Sequence, residues 1–286
     1  MRKPHLLLVA VVLAALAVGV VWIAGGALAS PLRANCGRPP ADLPCETVNI
    51  ASGSGATLRG WFVAGKPGCG AVVLMHGVRV NRLAMLGRAR FLHRQGYSVL
   101  LCDFQSHGES SGERITFGHL ESRDAQAEVA YVRRRLPQEK VAALGVSLGG
   151  AAALLATPPL QVDALVLESV YPTIDEAISN RLAMRLSPLA RLATPLLTLQ
   201  LRPRIGVSAD QLRPIDRIAH VTVPKLIISG TADRQTPITE TERLFQGAAA
   251  PKELWRVEGA QHQDLHAFAT AEYERRIAGF LAAHLR

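Results

Sequence analysis

Aromatic residues supply only 5% of this 286-residue chain, and its arginines are spread along the sequence rather than gathered into one stripe. A nucleic-acid groove wants basic residues interleaved with aromatic rings on which bases stack. The net charge of +9 therefore does not point to nucleic acid. The run Arg133-Arg134-Arg135 falls at the end of an expected helix, where cations face the free carbonyls. The four cysteines include no pair with zinc-ligand spacing, so no metal is expected, and nothing in the chain asks for an organic cofactor. Internal repeats and low-complexity linkers are also missing. What remains is a chain with 49% hydrophobic residues, long enough for one α/β domain, a small insertion and an N-terminal segment.

Residues 6–29 carry no charge and are almost wholly apolar, enough to cross a bilayer as a helix. Arg2 and Lys3 precede this run and favour a cytoplasmic N-terminus with the body exported to the periplasmic or extracellular side, a bias that Arg33 and Arg38 weaken. Ala27-Leu28-Ala29 also fits a cleavage site before Ser30. The length of the run favours an uncleaved membrane anchor over a secreted form. The expected plan is an anchor or signal at 1–30, a linker at 31–45 and the main domain at 46–286. Cys36 and Cys45 flank a proline-rich loop and are expected to close a small disulfide in an oxidising compartment. Cys69 opens one expected strand and Cys102 ends the next. On parallel neighbours they would lie about 15 Å apart at ~3.3 Å per residue. A disulfide needs Cα atoms within about 7 Å, so these two are expected to be unpaired and buried.

Apolar, β-branched runs bounded by glycine and proline predict strands at 46–51, 57–63, 71–75, 97–102, 141–145, 163–168, 225–229 and 253–257. Helices are predicted at 82–95, 118–136, 148–156, 238–246 and 264–284. Strands alternating with helices give an α/β fold: a mostly parallel eight-stranded sheet with helices on both faces, entered by an antiparallel hairpin. The insertion at about 171–220 spaces leucines and arginines at helical intervals, in Arg181-Leu182-Ala183-Met184-Arg185-Leu186 and Leu189-Ala190-Arg191-Leu192. These read as amphipathic helices forming a lid whose apolar underside suits an acyl chain.

The chemistry gathers at three strand ends. Gly145-Val146-Ser147-Leu148-Gly149 lies between an apolar run and an alanine-rich helix, as a nucleophile elbow requires. A serine hydroxyl needs a base to take its proton and a third group to orient that base. His262 follows the strand ending at Val257, and Asp233 follows the strand ending at Ser229. Glu168 is a rival acid at the end of another strand. The amides of Val78 and Leu148 are the expected oxyanion donors, and His76 is expected to brace the oxyanion loop.

His76-Gly77, Asp103-Phe104-Gln105-Ser106-His107-Gly108-Glu109-Ser110, the Ser147 elbow, Gly230-Thr231-Ala232-Asp233 and Gly259-Ala260-Gln261-His262 together resemble the α/β-hydrolase superfamily. The resemblance covers roughly residues 46–286, and its short lid is similar to the membrane-anchored Bem46-like and serine-aminopeptidase-like branch. It implies the chain order Ser147, Asp233, His262 for a catalytic triad. It also implies a serine hydrolase that acts on carboxylic esters and uses no cofactor, with a small or lipid-like ester as substrate. A lysophospholipase, a thioesterase, a peptidase and a noncatalytic binding protein are the alternatives on the same fold. Where the family carries an arginine after the Asp-x pair, this chain has Gln105. The lid is poor in acids, chiefly Asp175 and Glu176, which speaks against holding a peptide amine.

Overall fold

The runs read as strands form a single eight-stranded sheet in a computed structural model. The model describes residues 3–286, without the side chains at positions 3–7, 10, 13 and 14. In chain order the strands are β1 (Cys45–Ala51), β2 (Thr57–Val63), β3 (Ala71–Met75), β4 (Ser98–Cys102), β5 (Val141–Val146), β6 (Ala164–Glu168), β7 (Lys225–Gly230) and β8 (Lys252–Val257). Their order across the sheet is β1-β2-β4-β3-β5-β6-β7-β8. β2 runs antiparallel to both β1 and β4, and the other pairs are parallel. Every residue of β3, β4, β6 and β7 is buried, as strands covered on both faces must be.

The helices are α1 (Lys3–Ala29), α2 (Leu86–Arg94), α3 (His119–Arg135), α4 (Leu148–Leu155), α5 (Ile174–Arg185), α6 (Thr194–Thr198), α7 (Leu201–Ile205), α8 (Ile238–Gly247), α9 (Leu265–Phe268) and α10 (Thr270–Leu285). Two apolar clusters cover the two faces of the sheet. One gathers α3 and α4, with Val129, Leu148 and Ala152, and the other gathers α2 and α10, with Phe91, Tyr273 and Leu281. The single helix expected at 264–284 is broken at Ala269, whose φ of −129° is not helical. Register pairs Met75 with Gly145, Val146 with Glu168, and Val257 with Gly230. The C-terminal ends of β3, β5, β6, β7 and β8 thus form one rim, the usual place for ligands in an open α/β sheet.

The N-terminal segment corrects the sequence reading. Among the described residues no helix is long and apolar enough to cross a membrane, which overturns the expected transmembrane anchor and membrane-anchored location. Arg2, on which the orientation argument partly rested, lies outside the described residues. The last third of α1 belongs to the body of the protein. The Val21 carbonyl accepts from Gln200 Nε2 (3.2 Å), the Trp22 carbonyl from Arg204, and the Ala27 carbonyl from Arg79 Nη1 (3.1 Å). Of these, the Ala27 carbonyl lies in the last turn, where carbonyls lack partners within the helix, and the Arg79 guanidinium satisfies it. The chain beyond α1 stays on the domain, with Leu32 and Ala34 donating to the carbonyls of Ser106 (2.8 Å) and Gly108 (3.0 Å).

The expected Cys36–Cys45 disulfide is absent, for both thiols are free. Cys36 is buried instead against Asp103, its Sγ 3.6 Å from Oδ2, where burial and the neighbouring carboxylate push its thiol up to about 12. Cys69 and Cys102 are unpaired as expected, but only Cys102 is fully buried.

Candidate active site

Ser147 stands between β5 and α4 with φ 50° and ψ −107°, a conformation a non-glycine residue holds only when its surroundings over-determine it. Here they do. A Cβ on Gly145 would lie 2.5 Å from the backbone of Gly149, and one on Gly149 would lie 2.3 Å from the Met75 carbonyl oxygen. Both positions therefore exclude any side chain, and the turn closes. The Ser147 amide donates to the Glu168 carbonyl (2.8 Å), which ties the elbow to the next strand end. Its Oγ is buried and has no partner among the described residues.

The base and the acid meet one strand further on. Imidazole Nδ1 of His262 lies 2.7 Å from Asp233 Oδ2. The other Asp233 oxygen accepts from the amides of Gln235 (2.8 Å) and Thr236 (2.9 Å). With Nδ1 turned to the carboxylate, the Nε2 lone pair is left for a proton from another group. The two loops cross closely, since the Ala232 amide donates to the Ala260 carbonyl (3.0 Å) and a Cβ on Gly230 would meet that same oxygen at 2.1 Å. Ser147 and His262 line one cleft of about 910 Å³ together with Gly77, Val78 and Leu148.

The expected oxyanion loop runs beside the elbow, for a Cβ on Gly77 would sit 3.8 Å from Ser147 Cβ. His76 holds it. Nδ1 of His76 donates to the Gly77 carbonyl (2.7 Å), and Nε2 accepts from the Phe104 amide (3.0 Å). That pattern needs a neutral ring, and complete burial, aided by the nearby His107, pushes His76 down to about 3. His107, quoted in the motif but given no role there, does the same one layer out. Its Nδ1 donates to the Gln105 carbonyl (2.9 Å), and its Nε2 accepts from the amide of Arg79 (3.2 Å), which sits at φ 59°. Leu148 opens α4, whose first amides have no partner within the helix.

Glu168, the rival acid, is engaged elsewhere. Arg88 Nη2 reaches its Oε2 at 2.6 Å and the Tyr273 hydroxyl donates to Oε1. Arg88 also pairs with Asp264 (2.8 Å), two residues beyond His262, and so links the end of the histidine loop to the strand end that carries Glu168. Sequence patterns gave no sign of Arg88, which comes from α2, far away in the chain. Gln105 donates to Glu121 Oε1 (2.9 Å), and Arg82 supplies the cation for Asp103. Cys36, Asp103 and Glu109 bring three donor atoms within 4.8 Å of one another, but the Arg82 guanidinium contacts both carboxylates and already fills the place of a cation.

The helical insertion covers the cleft, and so does the end of α1. Ala24, Leu28 and Ala29 line it together with Ile178, Leu182, Leu186, Leu197 and Leu201. The size suits a small-molecule site, and the walls are chiefly apolar.

Comparison with known proteins agrees with this layout. The family model "Serine aminopeptidase, S33" matches residues 66–213, more than half of the chain. Protein Rv2307c of Mycobacterium tuberculosis is 30% identical over 219 residues, covering 76% of this chain and 72% of that protein. Protein YqkD of Bacillus subtilis is 25% identical over 236 residues, covering 81% of this chain and 77% of its own. Among solved structures, the esterase Pf2001 of Pyrococcus furiosus superposes with a TM-score of 0.75 at 21% identity, covering 91% of this chain and 99% of that one. At that identity the likeness speaks for the fold alone.

Proposed function

This chain belongs to the α/β-hydrolase superfamily, and from that premise we propose that it is a serine hydrolase cleaving carboxylic esters through Ser147, His262 and Asp233. The observation that carries the reading is the 2.7 Å bond between His262 Nδ1 and Asp233, in a cleft that Ser147 and His262 share. Ser147 Oγ attacks the ester carbonyl while its proton passes to His262 Nε2. The new C–O bond makes a tetrahedral oxyanion, which the Val78 and Leu148 amides bind. As the intermediate collapses, the bond to the alkoxide breaks and His262 returns the proton, releasing an alcohol. Water then adds to the acyl-enzyme with His262 as base, and the acid leaves with Ser147 restored. Asp233 keeps the imidazole in the productive tautomer throughout. Ser147 Oγ makes no hydrogen bond among the described residues, and its bond to His262 is one that substrate binding would tighten.

An ester suits the cleft better than a peptide amine, which needs carboxylates to hold it. Among the described lining residues Asp264 is the one acid, and Arg88 already pairs with it. Asp175 and Glu176 do not line the cleft, and Glu176 pairs with Arg243 (2.5 Å). A neutral fluorophosphonate probe tests the proposal. Wild type becomes labelled on Ser147 and turns over p-nitrophenyl esters, and Ser147→Ala does neither. Folded wild-type protein that resists the probe and leaves the esters intact defeats the reading.

A further inference from the structure

The roof of the cleft carries positive charge that the reaction does not use. Arg181 and Arg185 lie one turn apart on α5, and both line the cleft that holds Ser147 and His262. Like charges at that spacing on one helix face repel and weaken the helix. Neither residue belongs to any ion pair among the described residues. Arg181 is partly buried, and its one recorded hydrogen bond is from Nη1 to the Ala177 carbonyl (2.9 Å). Burial pushes its ionisation below the ordinary arginine value and Arg185 adds to this, while Tyr171, Asp233 and Glu240 oppose it without pairing with it.

Of the other arginines lining the cleft, only Arg88 meets carboxylates among the described residues. Arg79 and Arg204 donate to α1 carbonyls, and Arg88 is held by Glu168 and Asp264. Among the described residues Arg181 and Arg185 are thus the cleft arginines that donate to no group outside their own helix. Resting on the ester-hydrolase reading, we propose that the substrate is an anionic amphiphile, an ester whose apolar chain fills the cleft and whose phosphate or carboxylate is bound by Arg181, with Arg185 as the outer contact. A guanidinium presents a planar fork that matches both anions. An anion there also relieves the repulsion along α5.

Two matched pairs of substrates, given to the full chain, decide it. One pair is a 1-acylglycerol 3-phosphate and the corresponding 1-acylglycerol. The other is the monomethyl and the dimethyl ester of a long-chain dicarboxylic acid. Wild type is expected to favour the charged member of one pair by at least about tenfold in kcat/KM, on the order of a lost charge-assisted hydrogen bond. Preference in the phosphate pair puts the anion on the alcohol side, and preference in the dicarboxylate pair puts it on the acyl side. Arg181→Gln is expected to lower kcat/KM for the charged member at least fivefold more than for the neutral one, and Arg181→Lys to restore part of the difference. Neutral esters cleaved without preference in either pair overturn the proposal but spare the ester-hydrolase reading. Equal losses on both members in Arg181→Gln also overturn it. A failure to label Ser147 or cleave any ester removes both. If Arg181→Gln does not fold, wild-type inhibition takes its place: decyl phosphate about tenfold stronger than decanol supports the subsite, and equal inhibition overturns it.

Discussion

The floor and the roof of the cleft are built to opposite rules. On the floor, polar groups are buried and held from several sides. Both oxygens of Asp233 accept hydrogen bonds, both ring nitrogens of His76 are engaged, and Glu168 is gripped by Arg88 and Tyr273. On the roof, α6 and α7 are five residues each, and Leu186, Leu189, Leu192 and Leu199 are 73–80% exposed. Stabilising an oxyanion depends on dipoles fixed before the reaction begins. Accepting a flexible chain needs walls that can shift, and short helices with few buried contacts are the cheaper parts to move. On the proposed reaction, that difference gives chemistry to the floor and choice of substrate to the roof.

Substitutions can break that division, beginning with the most damaging. Ser147→Ala is expected to lower kcat on a p-nitrophenyl ester by on the order of 10⁴-fold or more without changing the melting temperature appreciably. His76→Ala frees the Gly77 carbonyl from its brace and is expected to cost about 10–100-fold in kcat, with KM little altered. On the roof, Leu182→Ala with Leu186→Ala, both lining the cleft, is expected to change kcat/KM only a few-fold and to move the preferred acyl length, read from a series of chain lengths. A loss larger than that of His76→Ala would erase the distinction between floor and roof.

The smallest effect concerns a group that follows neither rule. Glu128, on α3, is fully buried, and among the described residues both its carboxylate oxygens lack partners. Burial, with Asp124 and Asp103 nearby, pushes its ionisation well above the usual carboxylate range. The folded state keeps this proton while the unfolded chain gives it up. Stability is therefore whole below the unfolded value of about 4.3 and falls as pH rises from there towards the folded value. Glu128→Gln is expected to remove this contribution to the slope and raise the melting temperature by about 2–4 °C at pH 8, with little change at pH 4. Equal gains at both pH values would mean the carboxyl is not the cause.

Much of the floor was legible in the sequence because its demands are local. A glycine two residues either side of a serine reports a turn that admits no Cβ, and the strand runs report a sheet buried on both faces. The eight strands along the chain followed from those runs, whereas their order across the sheet did not. Residues joined across long stretches of chain were harder to see. Arg88 reaches Glu168 and Asp264 from α2, and no spacing rule links the three. Gln105 in place of arginine was visible, but not that Arg82 would supply the missing charge. Cys36 and Cys45 invited a disulfide by proximity in sequence, whereas packing turned Cys36 towards Asp103. Residues 6–29 misled most, since hydropathy cannot tell that the end of a helix will be pinned by Gln200 and Arg204.

That pinning has a practical consequence. Ala24, Leu28 and Ala29 form part of the wall facing Ser147, and Gly25 lies so near the Gln200 amide that a Cβ there would stand 2.4 Å from its oxygen. A protein trimmed at Ser30 for easier handling would lose a side of its own binding chamber, and a substrate profile measured on it would describe an open trough.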